Sequence, residues 1–294
     1  MKIDILGIKI NAITQNQVLD QVESFFIPNG QTLVSSHQLI TANPEIILES
    51  LKHHNYQNLI NQSSLVLADG IGLLWAAKFL SLKSNNLFFA VIQAFVAGAS
   101  LLLYPDYVKT IIPQRITGVD LMEKICELAS SSRAQSRDEL AGQKNLKVYL
   151  LGGEHGIAKQ CADKLKEKYF NLKIVGAETG PTIHGSHYTI EKNLIDNIIN
   201  SKADILFVAM GAPKQDFFIQ QILPQLPQVK LAMGVGGAFD FISGKAKRAP
   251  LIYQDLGIEW LFRLINEPWR FLRILNATIR FMWNVIKFNQ ISNQ

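Results

Sequence analysis

Six short strand-like runs, several of them almost unbroken apolar, recur along the chain at 31–35, 64–67, 146–151, 173–175, 204–209 and 230–233. Between them lie stretches with helical spacing, which predict helices at 14–26, 44–52, 71–80, 119–130, 157–169, 188–200 and 215–223. A strand covered on both faces has no polar face to alternate with. Apolar runs alternating with helices therefore mark a parallel sheet wrapped by helices. In such sheets ligands bind beyond the carboxyl ends of the strands, so those junctions are where chemistry is sought.

The expected fold class is α/β: two lobes with parallel, Rossmann-like sheets flanked by helices, plus a basic helical C-terminal appendage. The polar, aperiodic stretch "SSRAQSRDELAGQKN" contains a predicted linker at 133–145, dividing an N-terminal α/β lobe (1–132) from a second one (146–244). The appendage is 245–294. Between Lys245 and Lys287 eight Lys and Arg face three Asp and Glu, a surplus equal to the net charge of +5 of the whole chain. A basic, aromatic-bearing tail points to an anionic partner such as phosphate, a lipid headgroup or nucleic acid.

Composition excludes several classes. With 48% apolar and 18% charged residues the chain is no disordered protein. Two unclustered cysteines, Cys126 and Cys161, provide neither a disulfide framework nor a zinc site. The opening "MKIDILGIKINAIT" alternates like a strand and lacks the apolar centre of a signal peptide, which places the chain on the cytoplasmic side. Residues 84–105 carry no charge. As a helix, Leu87–Leu103 would reach about 26 Å, the short limit for crossing a bilayer. A helix or hairpin dipping into one leaflet is the favoured reading, core packing the next, and a span the last.

Four strand-to-helix junctions carry small or polar residues. In "TANPEI" (41–46) Asn43 suits an N-cap, Pro44 the first helical turn and Glu45 the helix dipole, so capping explains the stretch locally. In "LVLADGIG" (65–72) Asp69 ends a strand; it can cap the next helix or serve as a general base in a partly dry cleft. In "LLGGEHGIA" (150–158) Gly152 and Gly153 allow a backbone to approach a phosphate or ribose. The fourth junction is "FVAMGAPKQDFFI" (207–219), followed by "MGVGGAFDFISGKAKRAP" (233–250). Here Gly211, Lys214, Gly236 and Gly237 shape two adjacent strand ends. Lys214 at a helix start opposes the macrodipole, which disfavours a purely structural role. Asp240 can meet a base or ribose, or cap a turn. There is no D-x-D, Walker motif, H-E-x-x-H or Cys/His cluster.

Taken together, "TANPEI", "LADGIG", "RITGVDL", "LLGG", "GAPKQD", "GVGGAFD", "RAP" and "GIEWLFRLINEPWRFLR" resemble, in order and spacing, the WecG/TagA/CpsF glycosyltransferase family. The resemblance runs from about Gln31 to Arg273. It implies an inverting, metal-independent transfer of a hexosamine, N-acetylmannosamine in the best-known members, from a UDP-sugar donor to a polyprenyl-diphosphate-linked acceptor. The product would serve cell-surface polysaccharide or teichoic-acid-type synthesis. The enzyme would need no cofactor and would work at the cytoplasmic face of the membrane as a peripheral or monotopic protein. By the same resemblance Asp69 is the catalytic base of the N-terminal lobe, and Thr41, Asn43, Arg115 and Gln215 contact substrate. Arg263, Arg270 and Arg273 meet diphosphate groups from the appendage. The second lobe becomes a nucleotide-sugar domain, in which Asp240 is a uridine contact. Two departures stand out: Asp216 replaces the family's usual Glu, and 84–113 replaces an ordinarily short link. The alternatives are another hexose (glucose or a uronic acid) in the same fold, or a non-catalytic nucleotide- or lipid-binding scaffold. A nucleic-acid partner is disfavoured because no aromatic interleaving accompanies the basic tail. Oligomeric state is unreadable.

Overall fold

The computed structural model describes residues 1–27, 36–82, 86–131, 146–181, 183–184, 187–188, 192–255, 259–266 and 268–292. The predicted strand at 31–35 and the linker at 133–145 lie outside the described residues. The chain divides into two compact units. The first comprises Met1–Thr14, Thr41–Thr117 and Arg248–Gln294, the second Gln15–Ile40 and Gly118–Lys247.

The class is α/β, as the alternation requires. The parallel strands assemble in one six-stranded sheet of order β4-β3-β10-β9-β5-β6. These strands are β3 (His37–Ala42), β4 (Leu65–Ala68), β5 (Lys147–Gly152), β6 (Lys173–Glu178), β9 (Ile205–Ala209) and β10 (Leu231–Gly234). Every residue of β4, β9 and β10 is buried, which is why their sequences read as unbroken apolar runs. Four of the six match predicted runs within a residue, and β6 extends three residues beyond its prediction. The strand β3 has no apolar signature, because buried polar residues interrupt it. Gln38 and Thr41 are each 9% exposed, and the Gln38 amide donates to the Asp216 carbonyl (3.2 Å).

The first unit opens with the antiparallel hairpin β1 (Lys2–Ile5) and β2 (Ile8–Asn11), the alternating stretch of the N-terminus. Its helices are α2 (Pro44–Ser50), α3 (His54–Gln62), α4 (Ile71–Ser81), α5 (Leu87–Leu103) and α6 (Pro105–Val108). In the C-terminal region they are α12 (Leu251–Asp255), α13 (Glu259–Asn266) and α14 (Phe271–Ser292). The charge-free segment is the single helix α5, capped by the Asn86 side chain, which accepts from the Phe89 N–H at 3.0 Å. It packs on α4 and α14. Trp75 of α4 stacks on Phe79 with 5.5 Å between ring centroids, lies 6.5 Å from Phe281 of α14, and donates its indole N–H to the Ala94 carbonyl of α5 (3.0 Å). The α5 helix is thus part of the core on one side only.

The second unit holds α1 (Gln15–Ser24), α7 (Gly118–Ser130), α8 (Ile157–Lys168), α9 (Lys192–Ser201), α10 (Lys214–Ile222) and α11 (Ala238–Ile242). The short pair β7 (Ile183–His184) and β8 (His187–Tyr188) lies between β6 and α9, so Tyr188 belongs to a strand and the helix expected from 188 starts at Lys192. The core joins Tyr149, Leu206 and Ala232 of the sheet to Ile198, Phe218 and Ile222 of the helices. Both free cysteines are buried. Burial pushes the Cys161 thiol up to about 12 and the Cys126 thiol in the same direction, so neither is a nucleophile at neutral pH.

Candidate active site

In the first unit three segments distant in sequence meet at the carboxyl end of β4. The Asp69 N–H donates to the Ala42 carbonyl (2.7 Å), and the Ala68 carbonyl accepts from the Ile116 N–H (2.8 Å). These two backbone bonds set Asp69 between the 41–43 segment and the 115–117 segment. Asp69 itself is half-buried. The structure thereby brings together four of the residues singled out above: Thr41, Asn43, Asp69 and Arg115.

Each arrives there for a local reason. Thr41 is buried near the end of β3. Asn43 is extended (φ −130°, ψ 172°), and its side-chain oxygen accepts from the Ile46 N–H at 2.9 Å, so it caps α2. Pro44 occupies the first helical turn and Glu45 the acidic first-turn position, as local physics expects. Arg115, 17% exposed, donates through Nη2 to the Gln254 carbonyl (2.8 Å) and through Nη1 to Glu259 Oε2 (3.5 Å). Glu259 Oε1 in turn lies 3.7 Å from Arg248 Nη2. One carboxylate therefore faces two guanidinium groups, and the Arg115 fork is oriented by the C-terminal helices.

Glu259 and Arg248 were not singled out as site residues in the sequence. They lie within "GIEWLFRL" and "RAP", but no spacing rule pairs charges 144 residues apart, as Arg115 and Glu259 are. Arg263 lies in α13, Arg270 ends the 3₁₀ turn Pro268–Arg270, and Arg273 lies in the first turn of α14; their side chains fall outside the described residues.

In the second unit the glycine-bearing junctions are built around Gln215. This residue is 5% exposed. Its carboxamide oxygen accepts from the Gly211 N–H (3.1 Å) and from the Gly236 N–H (2.9 Å), tying the loop after β9 to the loop after β10. The side chain lies against the Gly234 backbone, where an added Cβ would collide with it. The Ala212–Pro213 peptide in the first of these loops is cis. Lys214 is the exposed first residue of α10. At the neighbouring strand end Gly153 donates its N–H to the Ala209 carbonyl (2.8 Å). Gly152 has φ +121°, and a Cβ added to it would collide with the Ala209 backbone. Gly237 precedes α11, and Asp240 within it lies 3.7 Å from Lys245 Nζ, which also contacts Glu154 at 2.7 Å.

Replacing Gln215 with Leu keeps the volume but removes the acceptor shared by two backbone donors. An unsatisfied N–H costs about 1–3 kcal/mol when fully buried and less here, where Gly211 and Gly236 are half-buried. Gln215→Leu is therefore expected to lower the midpoint of denaturant unfolding clearly, whereas Gln215→Glu, which keeps an oxygen in place, retains most of the stability. Equal midpoints for the Gln215→Leu variant and the native protein would contradict this role for the carboxamide.

The model of the family described as "Glycosyl transferase WecG/TagA/CpsF family" matches residues 3–87 and 92–293. The chain belongs to this family. It is a glycosyltransferase by that membership, as the motif order implied. Relatives from Staphylococcus aureus strains MRSA252, MW2 and NCTC 8325 / PS 47 are 28% identical over 286 residues, covering 97% of this chain and 92% of theirs. Each is named N-acetylglucosaminyldiphosphoundecaprenol N-acetyl-beta-D-mannosaminyltransferase. The match breaks only at residues 88–91, so most of the charge-free helix α5 lies within the matched residues.

Proposed function

We propose that this glycosyltransferase moves N-acetylmannosamine from a UDP donor to an N-acetylglucosaminyl-diphosphate carried on a polyprenyl lipid, with Asp69 as general base. Family membership and the names of the Staphylococcus aureus relatives support the substrate class. The observation that carries the assignment of the base is the backbone bonding that seats Asp69 between the 41–43 segment and the segment that begins at Arg115.

In this reading the Asp69 carboxylate takes the proton of the acceptor hydroxyl as its oxygen attacks the anomeric carbon. The bond from that carbon to the nucleotide breaks, and its electron pair leaves on the diphosphate. A single displacement of this kind inverts an α-linked donor to a β product, in keeping with the beta linkage in the relatives' names. Thr41 and Asn43 position the acceptor sugar. The guanidinium of Arg115 and those of Arg263, Arg270 and Arg273 neutralise diphosphate charge, a task that planar forks perform without a metal ion. Gly152, Gly153, Gly211, Lys214, Gly236, Gly237 and Asp240 are assigned to the nucleotide, and Gln215 to holding their loops. The lipid-linked acceptor sets the place of work at a membrane surface, on its cytoplasmic face.

Mass spectrometry of products from a panel of UDP-sugars and a short-chain polyprenyl-diphosphate N-acetylglucosamine tests the proposal. The expected product gains one N-acetylhexosamine with UDP-N-acetylmannosamine as donor. Transfer of glucose or a uronic acid instead would replace the sugar assignment. Binding of UDP without turnover on any donor would mark a scaffold and overturn the reading.

A further inference from the structure

The α5 helix is built inside out for a helix on a water-soluble surface. Its buried positions are the small Ala90, Ala94 and Ala97, which let it lie close to α4 and α14. Its large side chains point the other way: Phe88 is 70%, Phe89 58% and Phe95 76% exposed, and Val91, Ile92 and Val96 are exposed beside them. An ordinary amphipathic helix turns its bulk inward and its charges outward. Here the outward face has bulk from Leu87 to Val96, on a helix whose sequence carries no charge.

We propose that the outer face of α5 is a membrane-docking surface that embeds in one leaflet of a lipid bilayer, with the helix lying along the surface. A span is disfavoured, since 17 residues rise only about 26 Å against a hydrocarbon core of roughly 30 Å and one side of the helix packs on α4 and α14. No helix among the described residues is long and apolar enough to cross. One backbone group at each end of the helix is capped. The Asn86 side chain satisfies the Phe89 N–H at the start, and the Tyr104 N–H caps the Ser100 carbonyl (2.9 Å) at the end. The Ser100 hydroxyl is turned to the Ala97 carbonyl (2.9 Å). Unpaired backbone groups are what hydrocarbon penalises most.

Charge complementarity favours lipid over protein as the occupant. The helix packed beside α5 is α14, which exposes Ile279, Arg280 and Trp283 and holds the Lys287 ammonium 5.2 Å over the Trp283 ring. Tryptophan next to cations is the side-chain set of a headgroup layer with anionic lipids. A second copy of the chain fits less well. One helix about 26 Å long and roughly 10 Å wide offers a footprint of a few hundred Å², against about 800 Å² per partner in a stable pair. The outer face also lacks the polar rim of protein interfaces. The proposal does not depend on which sugar is transferred or on Asp69.

Point changes on the outer face test it without loss of packing. Deleting the helix would uncover Trp75 and confound the result. The full chain is mixed with sedimentable vesicles of phosphatidylcholine, alone or with phosphatidylglycerol, and compared with Phe88→Asp/Phe95→Asp, its fold checked by circular dichroism and melting. The native protein is expected to pellet with both vesicles, more strongly with phosphatidylglycerol. The variant is expected to lose roughly tenfold or more in partition, the scale set by removing two phenyl groups from lipid. A dye on Phe95→Cys should shift to the blue with vesicles while one on Phe170→Cys, at a site 96% exposed in the other unit, does not; the two native cysteines are buried and stay unlabelled. Equal pelleting of native and variant protein would overturn the proposal in favour of the basic helix acting alone. No pelleting, with a native dimer that the variant dissociates, would overturn it in favour of a second copy.

Discussion

Asp69→Asn is expected to leave a folded protein that binds the UDP donor normally and transfers sugar about 10²–10⁴-fold more slowly, the usual contribution of a positioned general base. The amide has nearly the shape of the carboxylate and can still accept a hydrogen bond, and the backbone bond from Asp69 N–H to the Ala42 carbonyl is one the change does not touch. Stability should therefore move little, while kcat falls and donor affinity stays constant. The clean readout is that split, taken with a melting curve. A variant with native kcat would remove Asp69 from the chemistry. A variant that loses turnover only because it no longer melts cooperatively would say nothing of a base and assign the residue a role in folding.

Gly152→Ala is the second large effect, and it acts on stability. Gly152 sits at φ +121°, where an L side chain is strained, and an added Cβ would be driven into the Ala209 backbone of the adjacent strand. A carbonyl in a central strand cannot swing aside like the end of a long side chain. Strained backbone costs on the order of 1–3 kcal/mol by itself, and displacement of the sheet adds to it. The expected loss is about 3–5 kcal/mol, a large part of the stability of a typical domain. Denaturant melts measure it, with Phe170→Ala as an exposed control in the same unit. A loss below about 1 kcal/mol would show that the strand end relaxes and that a glycine is not required there.

Much of the architecture was legible because burial on two faces leaves a plain signature. Ile205–Ala209 and Leu65–Ala68 are wholly buried and wholly apolar, so their strands are visible without any structure. His37–Ala42 was not, because its buried Gln38 is satisfied by a backbone carbonyl 178 residues away. Long-range pairing of that kind leaves no local periodicity. The same division holds at the candidate site. Asn43 was legible as a cap, and the Asp69 junction as a strand end, since both are local. The environment of Arg115 was not, because Gln254, Glu259 and Arg248 reach it only through the fold. For α5 the composition showed an apolar stretch, but only its packing on Ala90, Ala94 and Ala97 separates an inner face from an outer one.

The indole of Trp75 ties α4 to α5. It is 3% exposed, and its N–H is satisfied by a carbonyl that belongs to α5. The helix and the tryptophan therefore form one packing unit. A relative in which the stretch between α4 and Ile116 is a short turn has no carbonyl to offer at that point, and an indole there would carry a stranded donor on a bare apolar surface. Such chains should have a smaller, non-donating residue at the equivalent of Trp75, and transplanting the helix into one of them should succeed only when the tryptophan travels with it.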